Sequence, residues 1–94
     1  MTEEFRHNTD QSRFEAWVDD EFAGEVTYVL SDGIAEFDHT WVEPAHRSTG
    51  IAGRLVQYGF DTVRAAGEWR IRPVCPFVAS WTKLHPEYQD LVVA

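Results

Sequence analysis

Residues 47–54 read Arg47-Ser48-Thr49-Gly50-Ile51-Ala52-Gly53-Arg54, a glycine and two small residues framed by two of the chain's eight cations. A strand ending at Val42, a loop with Gly50 and a helix starting beside it would leave unpaired N–H groups and a positive dipole end facing outward. That is an anion site suited to phosphate. Gly50 permits positive φ or close approach of a phosphate, Ala52 and Gly53 keep the first turn free of bulk, and Arg47 and Arg54 add charge. The loop lacks the Gly-Lys-Ser/Thr ending of a nucleotide-triphosphate loop and the three spaced glycines of a dinucleotide fingerprint. Taken alone, a glycine-bearing turn before a helix is also ordinary structure.

The elements that must hold this loop follow from periodicity. Alternation predicts a strand from Phe14 to Val18, a turn at Asp19-Asp20-Glu21, a second strand from Phe22 to Leu30, a tight connection at Ser31-Asp32-Gly33 and a third strand over 34–42. In that third strand Ala35, Phe37, His39 and Trp41 share one face. Glu43-Pro44 ends it. Ser48 or Thr49 is expected to cap a helix carrying Ile51, Ala52, Leu55, Val56, Phe60 and Val63 and closing near Gly67. A fourth strand spans Trp69 to Val74. Pro76 opens a second helix with Phe77, Val78, Trp81 and Leu84, closed by His85-Pro86. The fold class expected is α+β, an antiparallel three-stranded meander followed by α-β-α, in the order β-β-β-α-β-α. Residues 1–12 read as a polar lead-in and 13–94 as one domain.

Composition bounds the function. Ninety-four residues fit one domain, and 44% hydrophobic with 26% charged residues is the balance of a folded chain and not of a disordered tail. Residues 1–43 carry twelve acids against two arginines, whereas 44–94 carry four acids against six bases. A net charge of −8 repels nucleic-acid phosphates. The acidic half is either a solvated surface or an attractor for a cationic partner. With no apolar run long enough to span a membrane and no secretory pattern in Met-Thr-Glu-Glu-Phe-Arg, a cytoplasmic location is expected, as a monomer or small homo-oligomer. The single Cys75 forms no internal disulfide, and no metal-ligand spacing is present.

The loop resembles the pyrophosphate loop of the GNAT superfamily, Arg/Gln-x-x-Gly-x-Gly/Ala, matched here by Arg47-x-x-Gly50-x-Ala52. More narrowly, the chain resembles very short GNAT-like N-acetyltransferase-domain proteins, through His39-Thr40-x-Val42 before the loop, Pro73-x-Cys75-Pro76-Phe77-Val78 after the helix, and His85-Pro86-Glu87-Tyr88. The likeness covers Phe14 to Leu91. It implies acetyl-CoA as cofactor, its pyrophosphate on Arg47, Ser48, Thr49, Gly50, Ile51, Ala52, Gly53 and Arg54. The pantetheine arm would lie on the backbone of Thr40, Trp41 and Val42, with a thioester slot where Val74-Cys75 splays away. The chain is too short for the helix pair that covers the acceptor in larger members, so an open acceptor site is implied.

Acetyl transfer to an amine needs a neutral nucleophile, a polarised thioester carbonyl and a proton for the departing thiolate. Cys75 can take the acetyl group or supply that proton, or it can be small core filler. His39 can accept the amine proton, or be a satisfied core histidine between Phe37 and Trp41. His85, Tyr88 and Glu43 rank lower, each having a structural explanation at a helix end, in the tail or at a turn. Trp41, Trp69 and Trp81 read as core fill rather than as a cation cage. The expected activity is acetyl-CoA-dependent N-acetyl transfer to an amine, a small molecule or a lysine side chain, favoured to be cationic. The rival is a CoA-binding or interaction module without turnover.

Overall fold

Period-two burial builds most of the protein. In the computed structural model, which describes residues 2–93, five strands form one sheet in sequence order: β1 (Glu3–Asn8), β2 (Arg13–Val18), β3 (Glu21–Ser31), β4 (Ile34–Val42) and β5 (Arg70–Pro73). Strands β1 to β4 are antiparallel neighbours, and β5 lies parallel to β4. The parallel pair requires a crossover. It is supplied by α1 (Ile51–Ala66), while α2 (Pro76–Leu84) follows β5. The α+β class stands, but the meander has four strands, giving the order β-β-β-β-α-β-α.

The additional strand is β1, where a polar lead-in was expected. Its register with β2 runs from Glu3 opposite Val18 to Asn8 opposite Arg13. Phe5 stacks on Tyr58 of α1 with ring centres 5.6 Å apart, and His7 stacks on Phe14 at 4.3 Å. One phenylalanine and one histidine suffice for an edge strand because the backbone ladder supplies the rest. These residues belong to the same sheet as 13–93; Met1 and Ala94, the ends of the expected segments, lie outside the described residues.

Helix α1 buries Ile51, Leu55, Val56, Gly59, Phe60 and Val63 against the sheet face carrying Phe14, Val26 and Phe37. It closes at Gly67 with φ +70°, whose N–H bonds Val63 O. Helix α2 packs beside it, the rings of Phe60 and Trp81 being 5.0 Å apart. A 3-10 turn over Pro86–Leu91 then returns the chain to the sheet. Val92 pairs with Ile71, and Val93 N–H donates to Ile71 O at 2.9 Å. The apolar tail therefore covers the outer edge of β5.

Strand β4 departs from simple alternation in a way that shapes the site. Its register with β3 shifts so that Thr27 pairs with His39 while Tyr28 pairs with Phe37, leaving Asp38 as the extra residue of a bulge. A bulge re-aims every side chain beyond it. Ala35 and Phe37 are buried, His39 is exposed, and Thr40 and Val42 take up the inward positions opposite Val26 and Gly24. His39 therefore shares a face with Trp41 but not with Phe37, and it is a solvent-facing histidine rather than a core one.

Candidate active site

The site is a split in the sheet. Strands β4 and β5 pair only as far as Phe37 opposite Pro73. There the N–H groups of Val74 and Cys75 both donate to Phe37 O, at 3.1 and 2.8 Å, and the chain turns into α2. Pro73 and Pro76 cannot extend a ladder, so the separation is written into the sequence. Glu43 N–H donates to Ala23 O. By alternation the backbone of Trp41 also faces β3, and that of Thr40 and Val42 faces the opening.

A cleft of about 220 Å³ lies in this opening, lined by Thr40, Trp41, Val42, Arg47, Ala52 and Phe77. The residues expected to hold the pantetheine arm and part of the pyrophosphate loop thus meet around one cavity. Phe77 is an addition: the sequence reading placed it among the apolar residues of α2, yet it is 41% exposed and forms the far wall. Pro76 at the first position of the helix is the signal, because it fixes Phe77 in the first turn.

Between the lining residues Arg47 and Ala52, Gly50 is the N-cap of α1, with φ +81° and ψ 7°, a left-handed conformation that a side chain disfavours. Ser48 and Thr49 do not cap the helix. The Thr49 hydroxyl donates to His46 O at 2.7 Å and its N–H bonds the same oxygen at 3.2 Å, so both groups are consumed by the preceding turn. The first backbone bond of α1 is Arg54 N–H to Gly50 O. The N–H groups of Ile51, Ala52 and Gly53 are thereby left for an anion. The side chain of Ile51 is buried in the core, that of Ser48 is exposed, and Gly53 faces the indole of Trp81 rather than open solvent.

The two arginines differ. Arg47 lines the cleft and donates from Nε to Val42 O at 2.8 Å, tying the loop to the end of β4. Arg54 points to the other side of α1, where Nε and Nη2 engage both carboxylate oxygens of Glu3 at 2.7 and 2.8 Å and Nη1 donates to Thr49 O at 3.0 Å. That partner holds the Glu3 carboxyl below its usual value, outweighing the opposing effect of burial. Arg54 is thus a brace between β1 and the loop, and Arg47 is the cation facing the cleft.

Cys75 is the N-cap of α2 and is buried, with Sγ 3.5 Å from Thr40 Oγ1. Burial pushes its thiol up; the Thr40 hydroxyl, together with the N–H groups of Val78, Phe77 and Thr40, favours the thiolate by more, and the thiol ends below its ordinary value. The Val78 and Phe77 N–H groups belong to the first turn of α2, so the start of the helix favours the thiolate. His39 lies on the opposite face of β4 from Thr40, and the structure does not bring it together with Cys75.

The lower-ranked groups are accounted for. Tyr88 donates its hydroxyl to Asp61 at 2.5 Å, which pushes the pH at which it ionises above the usual tyrosine value. His85 stacks on Trp81 at 4.2 Å, and Glu43 accepts from Ala45 N–H at 2.8 Å to start the 3-10 turn Pro44–His46. Trp41 stacks on Phe22, while Trp69 and Trp81 meet Tyr28 and Phe60 at opposite ends of one run of core rings through Phe37. Among the described residues no cluster of metal-ligating side chains occurs and no helix is long and apolar enough to cross a membrane.

Comparison with known proteins agrees with this geometry. No functionally curated sequence matches the chain. The NMR structure of a GCN5-like protein from Staphylococcus aureus superposes with a TM-score of 0.69 over 97% of this chain and 88% of its own, at 21% identity. The ribosomal-protein-alanine N-acetyltransferase of Brucella melitensis biovar Abortus 2308 superposes with a TM-score of 0.56 at 25% identity; the match covers 87% of this chain and 61% of that one. The family model for GCN5-related N-acetyl-transferases matches residues 13–91. With that match spanning the loop, the split strands and both helices, the chain belongs to the GCN5-related N-acetyltransferase family and is an acetyltransferase.

Proposed function

We propose that this protein transfers an acetyl group from acetyl-CoA to an amine, with Arg47 and the first-turn N–H groups of α1 holding the pyrophosphate and Thr40 to Val42 holding the pantetheine arm. The observation that carries the reading is the split at Phe37, beyond which Thr40, Trp41 and Val42 line one cleft with Arg47 of the loop and Ala52 of the first turn of α1. Acetyl-CoA, when bound, would supply the acetyl group as an activated thioester. The chain's residues would orient that arm by backbone hydrogen bonds, with the buried Cys75 thiol 3.5 Å from the hydroxyl of Thr40, a residue of the cleft wall.

Against burial, the Thr40 hydroxyl and the nearby N–H groups hold the Cys75 thiol below its ordinary value, which eases release of its proton. Cys75 would supply a proton to the CoA thiolate as the amine nitrogen bonds the acetyl carbon, regaining one from solvent while the amine's own proton leaves to solvent. Twelve acids in residues 1–43 favour a cationic acceptor.

Calorimetric titration with acetyl-CoA and CoA tests the cofactor site. Wild type is expected to bind in the micromolar range and Gly50→Glu to lose binding, because it puts strain and negative charge in the cradle. No binding by wild type would sink the reading. Cys75→Ala separates the roles: loss of turnover with retained CoA binding supports a catalytic thiol, and full turnover removes Cys75 from the mechanism.

A further inference from the structure

The indole of Trp81 has features that core packing alone does not use. It is 94% buried, between Phe60 at 5.0 Å, Tyr88 at 5.2 Å and the stacked ring of His85 at 4.2 Å. Its Nε1–H has no hydrogen-bond partner among the described residues, whereas Trp17 directs the same group to Glu15 at 3.0 Å. Among those residues no fully buried side-chain nitrogen or oxygen lacks a partner, and Trp81 Nε1 accordingly sits at the margin of the core. A buried tryptophan normally spends this donor.

That margin lies at Gly53, the third residue of α1. A Cβ at Gly53 would lie 3.7 Å from Trp81 Nε1 and 3.8 Å from Cδ1, so the donating edge of the indole rests against the first turn of α1. Side-chain directions in a helix tilt toward its N-terminus. The indole nitrogen of α2 thus lies beside the turn of α1 whose backbone N–H groups at Ile51, Ala52 and Gly53 are free.

We propose that Trp81 is a cofactor-binding residue, its indole N–H donating to a phosphate oxygen seated on the first turn of α1. The inference rests on the cofactor reading above and adds a donor from α2 to a cradle otherwise built by α1 and Arg47. It also gives Gly53 a role: any side chain there would stand between the indole and the ligand. Because the ring is already fixed by three aromatic neighbours, the donor is pre-oriented and little freedom is lost on binding.

The test uses the whole chain with CoA, 3′,5′-ADP and pantetheine as probes. In a nitrogen-15 correlation spectrum the Trp81 indole N–H is the indole signal missing from Trp81→Phe. In wild type it is expected to move downfield with CoA and to stay in place with pantetheine, which has no phosphate. Trp81→Phe keeps an aromatic ring in the core and removes the donor; its CoA dissociation constant is expected to rise about 10-fold, the factor that one hydrogen bond to a charged acceptor commands. Its pantetheine affinity is expected to stay unchanged, while its melting temperature falls with the buried indole area that is lost. An indole signal that ignores CoA overturns the inference, as does an unchanged CoA affinity or an equal loss of both ligands. Phosphate seated beyond the indole's reach would shift the loop amides with 3′,5′-ADP while leaving the indole still, and that too overturns it. Wild type that binds no CoA overturns the cofactor reading itself, a result separate from Trp81→Phe binding as well as wild type.

Discussion

Replacing Gly59 by alanine in the middle of α1 should destabilise the protein, although the same change raises helix propensity by about 0.8–1.0 kcal/mol. The Cβ would lie 3.1 Å from Phe14 Cδ2, 3.2 Å from Phe37 Cε2 and 3.3 Å from Phe14 Cε2, against an ordinary carbon contact of about 3.5–4.0 Å. Phe14 and Phe37 are both 0% exposed and pack ring to ring, so neither can swing aside. Relief requires α1 to back away from the sheet, and overpacking of this kind costs about 1–3 kcal/mol. Gly53→Ala in the same helix provides the control, because its Cβ meets Trp81 at an ordinary 3.7 Å and the propensity gain goes unopposed. The two variants should differ by about 1–3 kcal/mol. In a domain of this size each 1 kcal/mol moves the melting temperature by about 4–8 °C, so Gly59→Ala should melt at least ~4 °C below Gly53→Ala. Thermal unfolding followed by circular dichroism reads the difference, and CoA titration of Gly59→Ala should show weaker binding as the first turn of α1 shifts. A Gly59→Ala protein melting at or above Gly53→Ala would refute the claim that Phe14 and Phe37 set the helix-to-sheet distance.

Three further outcomes are expected. Cys75 should be alkylated by iodoacetamide at lower pH than a free cysteine, and Thr40→Val should move the midpoint of that profile upward by removing the hydroxyl beside Sγ; an unmoved midpoint denies Thr40 its part. Burial lowers the folded value of His7, whose ring stacks on Phe14 and whose Nε2 meets Tyr28 Oη at 2.8 Å. Since the unfolded chain then takes up the proton more readily, stability is fully present above the ordinary value of 6.5 and falls as pH drops below it; melting temperatures at pH 7.5 and 5.5 should show this decline, reduced in His7→Gln. Tyr88→Phe should cost about 1 kcal/mol in urea unfolding by leaving Asp61 without its donor, yet leave the rate of acetyl transfer unchanged, whereas a large fall in rate would place the Tyr88 hydroxyl in the chemistry.

The sequence by itself determined the parts whose causes are local. The period of Leu55, Val56, Phe60 and Val63 requires a helix with one apolar face, Gly50 supplies the positive φ that starts it, and Pro73 and Pro76 stop the fourth sequence-predicted strand where the slot must open. Those causes act within a few residues, and they located the loop, the split and Cys75. The tertiary structure decided what depends on register and on partners distant in sequence. Phe5 and His7 make a strand only because β2 offers a ladder to pair with. The bulge at Asp38 is a property of the β3–β4 pairing, and it alone turns Thr40 toward Cys75 and His39 toward solvent. The division of labour between Arg47 and Arg54 rests on Glu3, 51 residues away from Arg54 along the chain. Alternation along one strand carries no information about the strand beside it, and a one-residue slip between two strands reverses every side chain beyond it.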